Sequence, residues 1–334
     1  MASSELIPDT QHDRRRLDER IAHVLLRRRN REVSERRKRL WLGVATVLFS
    51  GAFVLGFATL PDIRQPVRWH FFVLSGLLGA PALVALGAAE YDASARLLGH
   101  GQVPAREALR LSILSTAANL LPIPGSVIVR TAALYRLGSP LGGAVLSTLT
   151  VGLSWVATGA LIIGGALLAD SPDALGVVLL VGGAISMIGI YVLMRRIRGP
   201  AGVNSLFVRI VAIESLYVVV GAVRFLLVVA GLGLSPSLSQ AAALTLSGMV
   251  ASMTGIFPGG LGIRELAAGA ISPLINLPAS VGIVAASIIR IANLAVLVPI
   301  ALVFLHGRDN QMMKPIEAGS EIGGPLAGSE TREP

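Results

Sequence analysis

Apolar runs of about twenty residues, each long enough to cross the hydrocarbon of a bilayer as a helix, alternate with short polar joints along most of the chain. The first runs from Trp41 to Leu60 and stops at Pro61, and a short turn through Pro66 leads into the second, at 67–89. That second run is expected to deliver Glu90, Tyr91, Asp92 and Arg96 to the cytoplasm. Further runs fall at 142–169, 175–194, 208–233 and 278–305. Two remaining stretches, 104–137 and 237–272, are equally apolar but broken, by Pro122-Ile123-Pro124-Gly125 in one and Pro258-Gly259-Gly260 in the other. Non-helical backbone survives at membrane depth only where protein shields it or where it lines a wet cavity. Each stretch therefore predicts a hairpin of two short helices that enters and leaves on one side. An odd number of spans separates the two hairpins, so they enter from opposite sides, in the inverted layout of many secondary transporters. The expected fold is an all-α polytopic membrane protein of about six full spans plus two Pro/Gly-broken, re-entrant hairpins in an inverted repeat. Full crossing by both arms of each hairpin is the alternative, which raises the total toward about ten. The pattern of apolar positions leaves that choice open.

Composition places the chain far from soluble proteins, with 53% hydrophobic and 15% charged residues over 334 positions and a mean hydropathy of +0.70. The 37 glycines suit close helix packing and broken helices in lipid. The formal charge of +9 does not point to nucleic acid, because much of it lies in Arg14-Arg15-Arg16, Arg27-Arg28-Arg29 and Arg36-Arg37-Lys38-Arg39. Basic runs beside the first apolar segment predict a cytoplasmic N-terminus. Residues 1–40 are expected to form a retained basic arm rather than a signal peptide, since the basic region is long and no A-x-A site follows closely. Within the arm, Leu17, Ile21, Val24 and Leu25 recur at roughly helical spacing, as in a helix lying on anionic lipid. A topology signal alone is the plainer reading. The basic loop Arg195-Arg196-Ile197-Arg198 also belongs on the cytoplasmic side, the cation-free loop Asp170-Ser171-Pro172-Asp173 outside, and the C-terminus inside. The expected domains are the arm (1–40), a transmembrane domain (41–307) and a disordered cytoplasmic tail (308–334) that buries too little apolar surface to fold. No cysteine occurs and the five histidines show no ligand spacing, so neither a metal nor another cofactor is expected. Enzyme motifs such as a nucleophile elbow, a P-loop or H-E-x-x-H are absent, and the expectation is a non-enzyme.

Four arginines lie where lipid should be: Arg130 and Arg264 after the two breaks, Arg224, and Arg290 near the middle of the last run. A charge at that depth costs several kcal/mol unless paired or hydrated, so each is a candidate functional residue. Guanidinium matches phosphate and carboxylate bidentately, and a ring of arginines suits such a ligand. Gly259, Gly260 and Gly262 let backbone approach a ligand closely, and the helix that starts after them turns its N–H groups toward an anion. Glu265 is expected to orient Arg264, with Glu214 as a counter-ion for empty arginines. Structural readings stand beside these: Arg264 stitched to Glu265 or Glu214, Arg130 and Arg136 in a cytoplasmic loop, and Arg209 snorkelling at a membrane face. Asn119 and Asn293 fit interhelical hydrogen bonds, with Asn119 also a candidate at the first break. Trp41, Trp69 and Trp155 fit interfacial anchors.

The string Phe257-Pro258-Gly259-Gly260-Leu261-Gly262-Ile263-Arg264-Glu265 closely resembles the signature of the lysylphosphatidylglycerol synthase transmembrane-region family, a flippase-like membrane domain. Asn119-Leu120-Leu121-Pro122-Ile123-Pro124-Gly125 with Arg130 looks like that family's earlier motif, departing from it at Ser126-Val127-Ile128, where more glycine is usual. Arg290 and Gly307 also fit, and the resemblance covers about 41–307. In two-part members this domain precedes a soluble aminoacyl-transferase domain and flips the charged lipid between leaflets. The expectation is therefore a stand-alone translocase in a bacterial plasma membrane. Its partner would be an anionic phospholipid or a polyprenyl-phosphate-linked precursor, with a separate synthase or glycosyltransferase as a possible companion. Its substrate-binding residues would be Arg264, Glu265, Gly259, Gly260, Gly262, Arg130, Arg290, Arg224, Glu214 and Asn119. A small-anion transporter, or a non-transporting subunit anchoring a synthase, are the alternatives.

Overall fold

The computed structural model describes residues 35–61, 66–118, 125–170, 174–254 and 260–306, and every long element in them is a helix. In chain order these are α1 (Glu35–Ala58), α2 (Trp69–Leu97), α3 (Ala105–Ala118), α4 (Gly125–Arg136), α5 (Leu141–Asp170), α6 (Ala174–Arg198), α7 (Val203–Gly231), α8 (Leu238–Leu244), α9 (Leu246–Thr254), α10 (Ile263–Leu274) and α11 (Ala279–His306). Five of them, α2, α5, α6, α7 and α11, are long and apolar enough to cross a membrane. The outward faces carry large apolar side chains, among them Val178, Ile185 and Ile188 of α6, Val208 and Val219 of α7, and Leu302 and Val303 of α11. Serines, threonines and several charged groups lie buried between the helices instead. Apolar surface outward and polar groups inward is the arrangement that a lipid solvent favours. The chain is a multi-pass α-helical membrane protein. The apolar part of α1, Thr46–Ala58, is shorter than these five spans.

The α2–α7 pair runs through the centre, antiparallel. The backbone N–H of Arg68, at the start of α2, donates to the Gly231 carbonyl that ends α7, at 2.9 Å. At the opposite end of α2, Ser147 of α5 donates to the Ser94 carbonyl at 2.9 Å, which sets the start of α5 beside the finish of α2. The α3–α4 hairpin begins and ends there too, its mouth closed by His100 and Ser139 at 2.6 Å. The second broken stretch, α8 to α10, begins and ends at the other end of the bundle. There Gln240 Nε2 donates to the Ile275 carbonyl at 2.8 Å, and Ser237 hydrogen-bonds Asp170 at the finish of α5. The two hairpins thus approach one central helix pair from opposite ends. A helix of 14 residues such as α3 is about 21 Å long and one of 12 such as α4 about 18 Å. The Pro/Gly breaks at 119–124 and 255–259, with Asn119, Pro258 and Gly259, lie outside the described residues, as do residues 1–34 of the arm and the tail; residues 35–40 of the arm open α1.

One boundary differs from expectation. Glu90, Tyr91 and Asp92, expected beyond the end of the second run, are buried within α2, which continues to Leu97. Small residues (Gly87, Ala88, Ala89, Ala93, Ser94, Ala95) keep that face narrow enough for neighbouring helices to close over it. Asp92 then serves as a joint: it pairs with Arg96 at 2.8 Å and Arg209 at 2.7 Å, and accepts the Val103 N–H at 2.9 Å. Arg209, its side chain 41% exposed, is thus held by an ion pair. Trp155, expected at an interface, is half-buried against Tyr217 with its indole nitrogen enclosed, whereas Trp69 is largely exposed at the start of α2. The Trp41 side chain lies outside the described residues.

Candidate functional site

The sequence expectation of one arginine ring is replaced by two charged clusters, set on the same two helices at different heights. The first forms where α10 starts. Gly262 precedes α10 with φ 85°, a backbone state that glycine adopts without a Cβ clash, and its N–H donates to Glu265 Oε2 at 2.8 Å. The other oxygen of Glu265 binds Arg290 Nε at 2.7 Å, and Arg290 Nη2 donates to the Gly260 carbonyl at 3.0 Å. Glu265 is fully buried and the Arg290 side chain is 11% exposed, so the pair ties the broken segment to α11 in a dry setting. Glu265 therefore orients Arg290 and the Gly260–Gly262 turn, not Arg264. The reason is helical phase: neighbouring residues on a helix point about 100° apart and do not face each other.

Arg264 makes no hydrogen bond and no ion pair among the described residues, and its Nε is buried without a partner. Its guanidinium lies 5.9 Å from the centroid of the Phe225 ring. Next to it on α7 is Arg224, only 3% exposed, which donates from Nε to the Ser75 carbonyl at 3.1 Å. Its Nη2 reaches the Ile289 carbonyl at 3.3 Å and Asn293 Oδ1 at 2.6 Å. These acceptors are all neutral. Asn293 thus makes the interhelical bond expected of it. Arg224, Arg264 and Arg290 lie within electrostatic reach of one another in sequence, and among the described residues Glu265 is the acid that offsets them. Over the described residues the cluster carries two positive charges in excess.

Room for Arg224 comes from Gly79 on α2, where an added Cβ would overlap its Nε, Cδ and Cζ. Gly79→Ala is expected to push Arg224 off its three acceptors and to cost about 1–3 kcal/mol, the range for buried polar groups left unsatisfied. Thermal unfolding in detergent measures this; an unfolding midpoint equal to that of the parent would refute the wedge.

The second cluster forms around Arg130 of α4. Its Nη2 pairs with Glu90 Oε2 at 2.5 Å, and Tyr217 Oη lies 3.4 Å from the same oxygen and 3.3 Å from the Leu83 carbonyl. Glu214, fully buried, turns its carboxyl toward Glu90, and among the described residues neither of its oxygens meets a donor in ordinary hydrogen-bond geometry. Gly87 gives this cluster its space, since a Cβ there would overlap Ser112 Oγ and touch Arg130 Nη2 and Tyr217 Oη. Gly79 and Gly87 are two turns apart on α2, about 12 Å. Arg130 is consequently neither a loop residue nor a member of the Arg264 group, and Glu214 is a neighbour of Arg130 and Glu90, not of Arg264. Arg136 ends α4.

Glu90 and Tyr217 escaped the reading of the sequence. The signal for Glu90 was present: the Gly/Ala/Ser-rich stretch continues past it to Ala95, marking packed helix beyond the apolar run. Among the described residues no group of three or more His, Cys, Asp or Glu could hold a metal. Beside the first cluster, a groove of about 440 Å³ runs between α1, α2 and α11, lined by Phe53, Phe57, Trp69, Val73, Leu77 and Ala295 among others, almost wholly apolar. Gly76 and Ala292 also line it, and their chain neighbours Ser75 and Asn293 are the groups that hold Arg224. Compared with known proteins, the chain matches no family model, no curated protein and no solved structure.

Proposed function

We propose that the chain is a flippase-like translocase that carries an anionic phospholipid or lipid-linked precursor between leaflets, with the headgroup phosphate bound by Arg264, Arg290 and Arg224. The observation that carries this reading is Arg264, an arginine without a hydrogen-bond or ion-pair partner among the described residues, in a cluster with two surplus positive charges. A phosphate would supply the missing charge and accept the guanidinium fork. The groove next to Arg224 favours a lipid over a soluble anion, because apolar walls facing outward suit an acyl chain while the headgroup reaches the cations. The resemblance of the Pro258–Glu265 string to the lysylphosphatidylglycerol synthase transmembrane-region family points the same way. In this reading α1 is the sixth span, both termini are cytoplasmic, the membrane is the bacterial plasma membrane, and the two hairpins are re-entrant gates. Arms of about 18–25 Å that begin and end together fall short of the roughly 30 Å hydrocarbon core.

The test is leaflet exchange of fluorescent phosphatidylglycerol against phosphatidylcholine in proteoliposomes. Exchange of the anionic lipid alone is expected. Ala295→Trp, which fills the groove from an exposed position without touching an arginine, is expected to reduce that exchange severalfold. Binding of inorganic phosphate without lipid exchange would replace the proposal with a small-anion transporter. Neither binding nor exchange would leave a membrane anchor.

A further inference from the structure

We propose that Glu214 and Glu90 form a one-proton site, in which Glu214 takes up and releases a proton while Glu90 stays ionised on Arg130, and that this site couples translocation to a proton gradient. The coupling rests on the translocase reading; the proton site does not.

Charge and enclosure together favour a proton here. Glu214 is fully buried and Glu90 nearly so, at 6% exposure. Arg130 binds Glu90 directly. Two carboxylates against one guanidinium leave one negative charge in excess, in a setting where an uncompensated ion costs several kcal/mol. A proton on Glu214 brings the sum to zero and turns one of its oxygens into a donor facing Glu90. Two carboxyls that share a proton titrate as a pair. The groups that act on Glu214 are Glu90 from α2, Arg130 from α4, and Tyr217 on its own helix, one turn away. From α5 the neighbouring Trp155 brings no charge. Among the described residues, α6, α8 and α11 contribute no charged group to it. Asp92, two residues from Glu90, is occupied by Arg96 and Arg209.

The position suits coupling. Glu214 and Tyr217 share α7 with Arg224, and Glu90 shares α2 with the Ser75 carbonyl that holds Arg224. The proton site and the anion site are thus built on the same two helices, and each receives one arginine from a different hairpin, Arg130 from the first and Arg264 from the second. No such division would be needed if both clusters served only to bind the headgroup.

Two measurements decide it. The first is independent of transport: the infrared C=O stretch of a protonated carboxyl in the detergent-solubilised protein. A band that disappears on raising pH, is lost in Glu214→Gln and is restored in Glu214→Asp is expected. Survival of that band in both Glu214→Gln and Glu90→Gln would overturn the assignment. The second imposes a pH gradient on the phosphatidylglycerol exchange assay. With one proton moved per lipid, the leaflet ratio is expected to shift about tenfold per pH unit in the parent. In Glu214→Gln the ratio is expected to be the same with and without the gradient, whatever its absolute rate. Exchange in the parent that ignores the gradient would overturn coupling while leaving the lipid reading intact. Absence of all exchange would defeat the lipid reading, and the infrared band would still decide the proton site.

Discussion

Replacing Arg264 with alanine is expected to slow phosphatidylglycerol exchange by about one to two orders of magnitude while leaving the protein folded. The magnitude follows from losing charge-assisted hydrogen bonds to a phosphate, at about 1.5–3 kcal/mol, with each 1.4 kcal/mol worth tenfold. The intact fold follows from what Arg264 lacks: with no hydrogen bond or ion pair to lose among the described residues, its truncation leaves no buried group stranded. It forfeits the contact with Phe225, and it removes a positive charge from beside Arg224 and Arg290. Arg264→Lys keeps the charge but not the planar fork, and an intermediate rate is expected. The variants are compared at equal protein per vesicle, with folding checked by size-exclusion profile and unfolding midpoint. Unchanged exchange in folded Arg264→Ala would remove the headgroup role from this residue. An aggregated variant would show that the arginine is structural after all.

Glu265→Ala has the opposite character and the larger effect on stability. It breaks the Arg290 ion pair in a nearly enclosed site and frees the Gly262 N–H, so a loss of about 3–5 kcal/mol is expected. Removing both charges is gentler than removing one, because a buried pair replaced by apolar groups of similar volume is close to neutral. Glu265→Leu combined with Arg290→Met is therefore expected to unfold at a higher temperature than Glu265→Ala alone. Detergent unfolding curves of the two variants check this. A double variant no more stable than the single one would mean that the Gly262 turn, rather than the ion pair, carries the effect of Glu265.

Five of the six expected spans, and the short helices on either side of the two breaks, were legible because apolar run length and Pro/Gly punctuation are local properties. The outer ends of helices were not. The end of α2 was set where the apolar run stops, yet Glu90 and Asp92 find partners in Arg130 and Arg209, which lie far along the chain. The same limit governs the arginines. Their presence at depth was plain, but their grouping depends on which helices meet. Arg264 and Arg290 share a cluster because α10 packs on α11, while Arg130 arrives from the other end of the bundle. Adjacency in sequence misled at Arg264-Glu265, where helical phase turns the two side chains apart and hands Glu265 to a residue 25 positions away.

Gly79 and Gly87 have a mechanical consequence. Each admits a side chain from another helix into the surface of α2, so α2 is keyed at two heights like a shaft with two pins. Sliding by one turn, about 5.4 Å, would carry both side chains out of their glycine slots at once. Rotation would shear Arg224 from the Ser75 carbonyl and Tyr217 from the Leu83 carbonyl together. The Arg224 key thus fixes α7 on α2, and the Ser112 key fixes α3 of the first hairpin on the same shaft.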